Sequence, residues 1–288
     1  MRIVLAAYSS DRTPAALAFC ERLSKGLGSC QRILVANHPA LSESLQSAGW
    51  LVIRGSNALG EFSAWQEGLD ATAAIDADDA AVLFVNDTVV SHRWFSAFRR
   101  WALVREIWCS DRPSVVGFID HPDDATSDLH IGGLRLPGWI SSYCFLLTPG
   151  ALRRLDHRLW DADAVARCVA GGVHEAGFFS DQVSPDLQRH LRWWLFHGGW
   201  YRSEPLTAAS AERLAFKARC VCAELLLSAR CWALGCEYRD PFERHPLPRA
   251  LERRSYSLAL RFGPPERARS ANRGIGMARR LPTRPHVS

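Results

Sequence analysis

Lysine is almost missing from this 288-residue chain: Lys25 and Lys217 are the only two, although the formal net charge is +5. Arginine carries the rest. Its placement says more than its number, because from Arg244 onward Arg249, Arg253, Arg254, Arg261 and six further arginines face few acids and concentrate the positive field at that end. The nine cysteines include no CxxC pair and no histidine at ligand spacing, only Cys220-Val221-Cys222, which argues against a zinc site and for buried thiols in a reducing compartment. No apolar run reaches the roughly 18–20 residues of a membrane span. Residues 1–8 are too short in their apolar part for a secretory signal and read as a first strand, so the expected location is cytoplasmic. No G-x-G-x-x-G follows an expected strand, which excludes a dinucleotide oxidoreductase of the usual kind. No internal repeat is present, and no aromatic-interleaved basic motif suggests nucleic acid.

What is present alternates. Short apolar runs at 3–7, 32–36, 50–53 and 80–85 are separated by segments with helical periodicity. Leu17, Phe19, Cys20, Leu23 and Leu27 follow the helix-entry signal of Pro14, a short helix is expected over 41–48, and Phe62, Trp65, Leu69 and Ala73 form a stripe over 61–75. Strands alternating with helices in this way predict a parallel sheet covered on both faces, with ligands at the carboxyl ends of the strands. Further along, a helix is expected over 91–108, strands over 114–119 and 140–148, a long loop over 120–138, and helices over 151–155, 187–196 and 208–232. Residues 250–262 can form an amphipathic helix, and 263–288 has a disordered composition. The expected division is a domain over 1–205, a helical extension over 206–262 and a basic tail over 263–288.

Two segments carry the chemistry. Arg54-Gly55-Ser56-Asn57-Ala58-Leu59-Gly60-Glu61-Phe62-Ser63-Ala64-Trp65-Gln66-Glu67-Gly68-Leu69 is a Gly/Asn turn opening a helix. One helix later, Ala81-Val82-Leu83-Phe84-Val85-Asn86-Asp87-Thr88 is an apolar strand ending on a carboxylate. Over about residues 1–200 the chain resembles the GT-A glycosyltransferases, particularly the family 2-like and rhamnan-synthesis proteins, and Ser141-Ser142-Tyr143-Cys144-Phe145-Leu146 matches half of a further stretch of the latter. His130-Ile131, the other half, is displaced by an insertion. The resemblance implies a GT-A, Rossmann-like α/β fold with a mostly parallel sheet. It also implies an inverting transferase that moves a sugar, rhamnose or another deoxysugar, from a nucleotide-sugar donor to a glycan or lipid-linked acceptor in bacterial surface-polysaccharide synthesis. A non-catalytic scaffold module of the same fold is the rival reading.

On that resemblance Ala7, Tyr8, Ser9, Asn57, Glu61, Asn86, Asp87 and Thr88 are expected to seat the donor. A strand-end turn is the rival role for Tyr8 and Ser9, and a plain helix start for Asn57 and Glu61. GT-A enzymes place Asp-x-Asp where this chain has Asn86-Asp87-Thr88, so a Mg²⁺ or Mn²⁺ ion would rest on Asp87, with His197 as a second candidate; without metal, His197 or Arg202 would meet the phosphate charge. Capping the next helix is the alternative for Asp87. Asp181, after Phe178-Phe179, is the candidate general base, with the aromatics expected to raise its pKa, and Asp120 is the next candidate. Capping the following helix is the alternative for Asp181. Trp139 and Trp200, beside glycines, are expected to contact the acceptor, whereas Trp65 reads as core. The basic amphipathic segment 250–262 suits peripheral contact with an anionic membrane.

Overall fold

The computed structural model describes residues 1–38, 41, 49–72, 80–92, 97–108, 112–122 and 128–241. The strands are β1 (Arg2–Ala7), β2 (Gln31–Ala36), β3 (Leu51–Arg54), β4 (Val82–Asn86), β5 (Ser114–Asp120), β6 (His130–Ile131), β7 (Leu134–Arg135), β8 (Trp139–Leu147) and β9 (Glu237–Arg239). Seven of them form one sheet in the order β3-β2-β1-β4-β8-β5-β9, and β6 and β7 pair separately. All neighbours in the large sheet are parallel except β8, which runs antiparallel to both β4 and β5. The architecture is thus the expected mostly parallel α/β sheet. The reversal of β8 departs from a simple strand–helix repeat: the described residues between β5 and β8 hold the β6–β7 hairpin, and the chain re-enters the sheet from the carboxyl edge.

Period-two burial divides the sheet into two cores. Ile3, Leu5, Leu34, Leu83, Val85 and Leu146 point to one face, and Val4, Ala6, Ile33, Val35, Phe84 and Phe145 to the other. The first face is covered by α1 (Thr13–Ser24), which buries Ala16, Phe19, Cys20 and Leu23 at helical spacing after Pro14. The second receives α2 (Gly60–Asp70). Trp65 is fully buried there, with its indole N–H donating to the Val85 carbonyl at 3.0 Å and its ring edge-on to Phe145. Its reading as core therefore holds. The helix stops at Asp70, short of the expected 75, where the Thr72 hydroxyl donates to the carbonyls of Gly68 and Leu69 at 3.1 Å and competes with further helical hydrogen bonding.

Next come α3 (Val89–His92) and α4 (Ala97–Trp108), which fall on the helix expected over 91–108, with 93–96 outside the described residues. The remaining helices are α5 (Pro149–Arg154), capped by Thr148, α6 (Ala162–Cys168), α7 (Pro185–Phe196) and α8 (Ala211–Ala233). The long helix α8 packs Leu214, Ala218, Ala223 and Leu227 into the same core as Trp65 and Phe145, and β9 extends the sheet beside β5. No helix among the described residues is long and apolar enough to cross a membrane. The expected helix over 41–48 lies outside the described residues save Leu41, and the helix over 250–262 and the tail over 263–288 lie wholly outside them.

Gly68 shows why the Gly-Leu step of the first motif is glycine. A Cβ there would lie 2.5 Å from Val4 Cγ1 and 3.3 Å from Val35 Cγ2, so α2 lies directly on β1 and β2. Gly68→Ala is expected to destabilise the fold by about 1–3 kcal/mol through overpacking. Urea unfolding measures it; an unchanged midpoint would mean that α2 can lift from the sheet at no cost.

Candidate active site

At the carboxyl edge of the sheet the ends of β4 and β5 meet the start of β8, with α7 and α8 forming the opposite wall. Between them lies a cleft of about 460 Å³. Glu61, Asn86, Thr88, Asp120, Trp139 and Trp200, all expected site residues, line it together. Lys217 and Glu224 of α8 line it too, with Val221 and Leu225, a spacing that puts all four on one helical face. Sequence reasoning passed over Glu224. Its signal was a single acid within Ala223-Glu224-Leu225-Leu226-Leu227, sharing with Lys217 a face whose other members, Val221 and Leu225, are apolar.

Two consecutive serines of β8 hold the acids. The Ser141 hydroxyl donates to Asp120 Oδ2. The Ser142 amide donates to Glu224 Oε2 at 3.1 Å and its hydroxyl to Glu61 Oε1 at 3.3 Å, while its carbonyl accepts from Asn86 Nδ2 at 3.4 Å. Burial pushes the Glu224 carboxyl up to about 7; the Ser142 hydrogen bond and Lys217 pull the other way, and the charges of Glu61 and Asp120 add to the rise. Burial alone would lower Lys217, but Glu61, Cys220, Glu224 and Tyr201 together outweigh it and hold the ammonium above its ordinary value. Its Nζ stands 5.7 Å from the centroid of Trp194 and 5.5 Å from that of Trp200.

The turn of His197-Gly198-Gly199-Trp200 serves these aromatics. Gly198 has φ +101°, and a Cβ on Gly199 would lie 2.5 Å from Trp194 Cα, so the chain doubles back tightly. Trp200 then donates its amide to the Trp194 carbonyl at 2.9 Å and stacks on Trp194 at 5.6 Å. His197 faces outward, with Nε2 2.9 Å from Glu175 Oε2, and does not line the cleft.

The residues expected to seat the donor divide. Asn57 sits at φ +53° with its side chain towards Asn37, whose Nδ2 donates to the Gly60 carbonyl at 2.7 Å. Asn57 therefore shapes the turn, while the helix starts from Leu59, which has no side-chain cap. Ala7 is fully buried, and its carbonyl accepts the Asn37 amide at 2.7 Å. Tyr8, half exposed, stands edge-on to His38 beyond the end of β1.

Asp87 is closed. Its Oδ2 accepts the amides of Tyr8 at 2.8 Å and Ser9 at 2.6 Å, its Oδ1 lies 3.3 Å from Arg12 Nε, and the residue is buried. Asn86 Oδ1 accepts both the amide of Thr88, at 3.1 Å, and its hydroxyl, at 2.5 Å. The triplet thus spends its oxygens on its own loop and on β1. Asp87 is buried beside the Arg12 guanidinium, which a divalent cation would have to displace, so these residues do not fit a metal. No group of three His, Cys, Asp or Glu side chains among the described residues is arranged to hold one either. Asp181 does not have the setting expected of it: Phe178 and Phe179 turn into the core, whereas Asp181 is exposed and does not line the cleft. Arg202 is also exposed, with its guanidinium over Tyr201.

No family model and no curated protein matches the chain. Among solved structures, a mannosyltransferase from Pyrobaculum calidifontis in complex with GDP-Man and Mn²⁺ overlaps 96% of this chain and 86% of its own, at 11% identity and a TM-score of 0.34. A CMP:2-keto-3-deoxy-manno-octonic acid synthetase complexed with CTP overlaps 57% of this chain and 80% of its own, at 10% identity and a TM-score of 0.35. Overlap this loose ties the chain to neither activity.

The raised Glu224 pKa has a consequence for stability. Below the ordinary 4.5 the group is protonated in both states; between there and about 7 only the folded chain keeps the proton, so its contribution to stability falls as pH rises. Glu224→Gln, which resembles the protonated acid, is expected to gain in Tm over the parent as pH goes from 5 to 8. A Tm difference that stays constant across that range would contradict the burial of this carboxylate.

Proposed function

We propose that this cleft transfers a sugar from a nucleotide-sugar donor to a hydroxyl of a glycan or lipid-linked acceptor, inverting the anomeric centre. The observation that carries the reading is a largely buried carboxyl with a pKa of about 7, Glu224, set beside Lys217 in an aromatic-walled cleft at the carboxyl edge of an α/β sheet. Support comes also from the resemblance of the 54–69 and 81–88 segments to GT-A donor sites. Rhamnose or another deoxysugar as cargo, and surface polysaccharide as product, are part of the proposal on that resemblance alone.

In this mechanism the acceptor hydroxyl gives its proton to Glu224 as its oxygen bonds the anomeric carbon. The bond from that carbon to the leaving phosphate oxygen breaks, and the electron pair departs on the nucleotide. Lys217, kept protonated by its acidic neighbours, supplies positive charge for the developing phosphate charge where Asp87 cannot hold a metal. Trp139 and Trp200 offer flat faces to the acceptor, and Tyr8 offers one to the base. Asp120, held by Ser141, is the second carboxylate in reach.

A non-catalytic module of the same fold remains the second reading, and the closure of Asp87 favours it. Calorimetric titration with UDP-, GDP-, dTDP- and CMP-linked sugars in the presence of EDTA separates the two. Transfer predicts that one nucleotide class binds without metal, and that Glu224→Gln keeps this affinity while losing at least about a hundredfold in turnover. A parent chain that binds no nucleotide sugar would sink transfer; a variant with parental turnover would move the base to Asp120.

A further inference from the structure

A second cleft, of about 570 Å³, shares no lining residue with the first. Arg158, Arg167 and Arg230 line it with Gln66 and Trp160, and none of the three guanidiniums has a carboxylate within ion-pair distance among the described residues. Arg230 Nη2 makes one long hydrogen bond, 3.4 Å, to the Leu155 carbonyl, and Arg158 and Arg167 are exposed. The Trp160 indole N–H is shielded from solvent and has no acceptor among the described residues.

The loop beneath is held in a costly shape. Asp156 and His157 are consecutive left-handed residues, with φ of +51° and +55°, and neither is glycine. Strain of this kind persists only where the surroundings over-determine it. Here Gln66 does so: its Nε2 donates to the His157 carbonyl at 3.0 Å and its Oε1 accepts the Leu159 amide at 2.8 Å. The strained loop carries Arg158 and Trp160 into the cleft wall. Two acids also line the cleft, Asp156 and Asp161, and Asp161 Oδ1 is taken by the Ala164 amide at 2.6 Å.

We propose that this cleft binds a phosphate or diphosphate group, independently of the sugar-transfer site. A single arginine fork satisfies both oxygens of a carboxylate, so three guanidiniums offer more donors than a carboxylate can accept. The several oxygens of a phosphoryl group match them.

The test uses inorganic pyrophosphate as probe, titrated calorimetrically into the full chain at low ionic strength. Because both changed residues are exposed, Arg158→Ala/Arg167→Ala should fold with the parent's Tm, yet weaken pyrophosphate binding at least about tenfold, the scale for losing charge-assisted hydrogen bonds. A parent that binds no pyrophosphate, or a double variant that binds it as the parent does, overturns the assignment. So does loss of binding in Lys217→Ala alone, which would place the anion in the sugar-transfer cleft. Loss of nucleotide-sugar binding or turnover leaves this outcome untouched, so the two readings fail separately.

Discussion

Ser142 is the point on which the cleft depends. Its amide, hydroxyl and carbonyl bind Glu224 of α8, Glu61 of α2 and Asn86 of β4, and its neighbour Ser141 binds Asp120 of β5. Four elements far apart in sequence are thereby fixed around one strand. This is possible only because β8 enters the sheet antiparallel, between β4 and β5, which places its first residues at the carboxyl edge of its parallel neighbours. A parallel strand in that position would bring Leu147 to this edge and leave the acids without donors.

Electrostatics then divides the site in two. Near β1, Asp87 meets amide dipoles and the Arg12 guanidinium, so its charge is satisfied within the loop and makes the loop rigid. Near α8, the carboxyl of Glu224 has one amide and a shared ammonium against burial and two further acids, and burial prevails. The first carboxylate is a fastener. The second is a group able to change protonation near neutral pH, which is what chemistry at an acceptor hydroxyl requires. In the proposed transfer, the positive charge that a metal would otherwise bring would come from Lys217, one of the chain's two lysines.

Much of the frame was legible in the sequence. The apolar runs of β1, β2 and β4, the Pro14 entry to α1 and the Phe62–Trp65–Leu69 stripe all lie where run length, periodicity and capping put them. The carboxyl edge as the place for ligands followed from the same pattern, and Glu61, Asn86, Thr88, Asp120, Trp139 and Trp200 do meet there. What could not be read was partner choice. Asp87 and Glu224 are both acids next to apolar runs, and only the tertiary fold gives one two amides and an arginine and the other a single amide. Asp181 misled because an irregular segment has no period: Phe178 and Phe179 turn inward while the next acid faces water. The reversal of β8 was equally hidden, since a two-residue hairpin strand such as β6 is too short to leave a pattern.

The ionisation of Glu224 itself tests the account most directly. Carbon-13 NMR of the side-chain carboxyls, in protein labelled on glutamate and followed from pH 4 to 9, reports each titration separately, and the Glu224 signal is the one missing from Glu224→Gln. The account predicts a midpoint near 7, well separated from the exposed glutamates. A midpoint at the ordinary 4.5 would mean that water reaches this carboxyl freely, and Glu224 would then be an ordinary surface acid with no claim to the acceptor's proton.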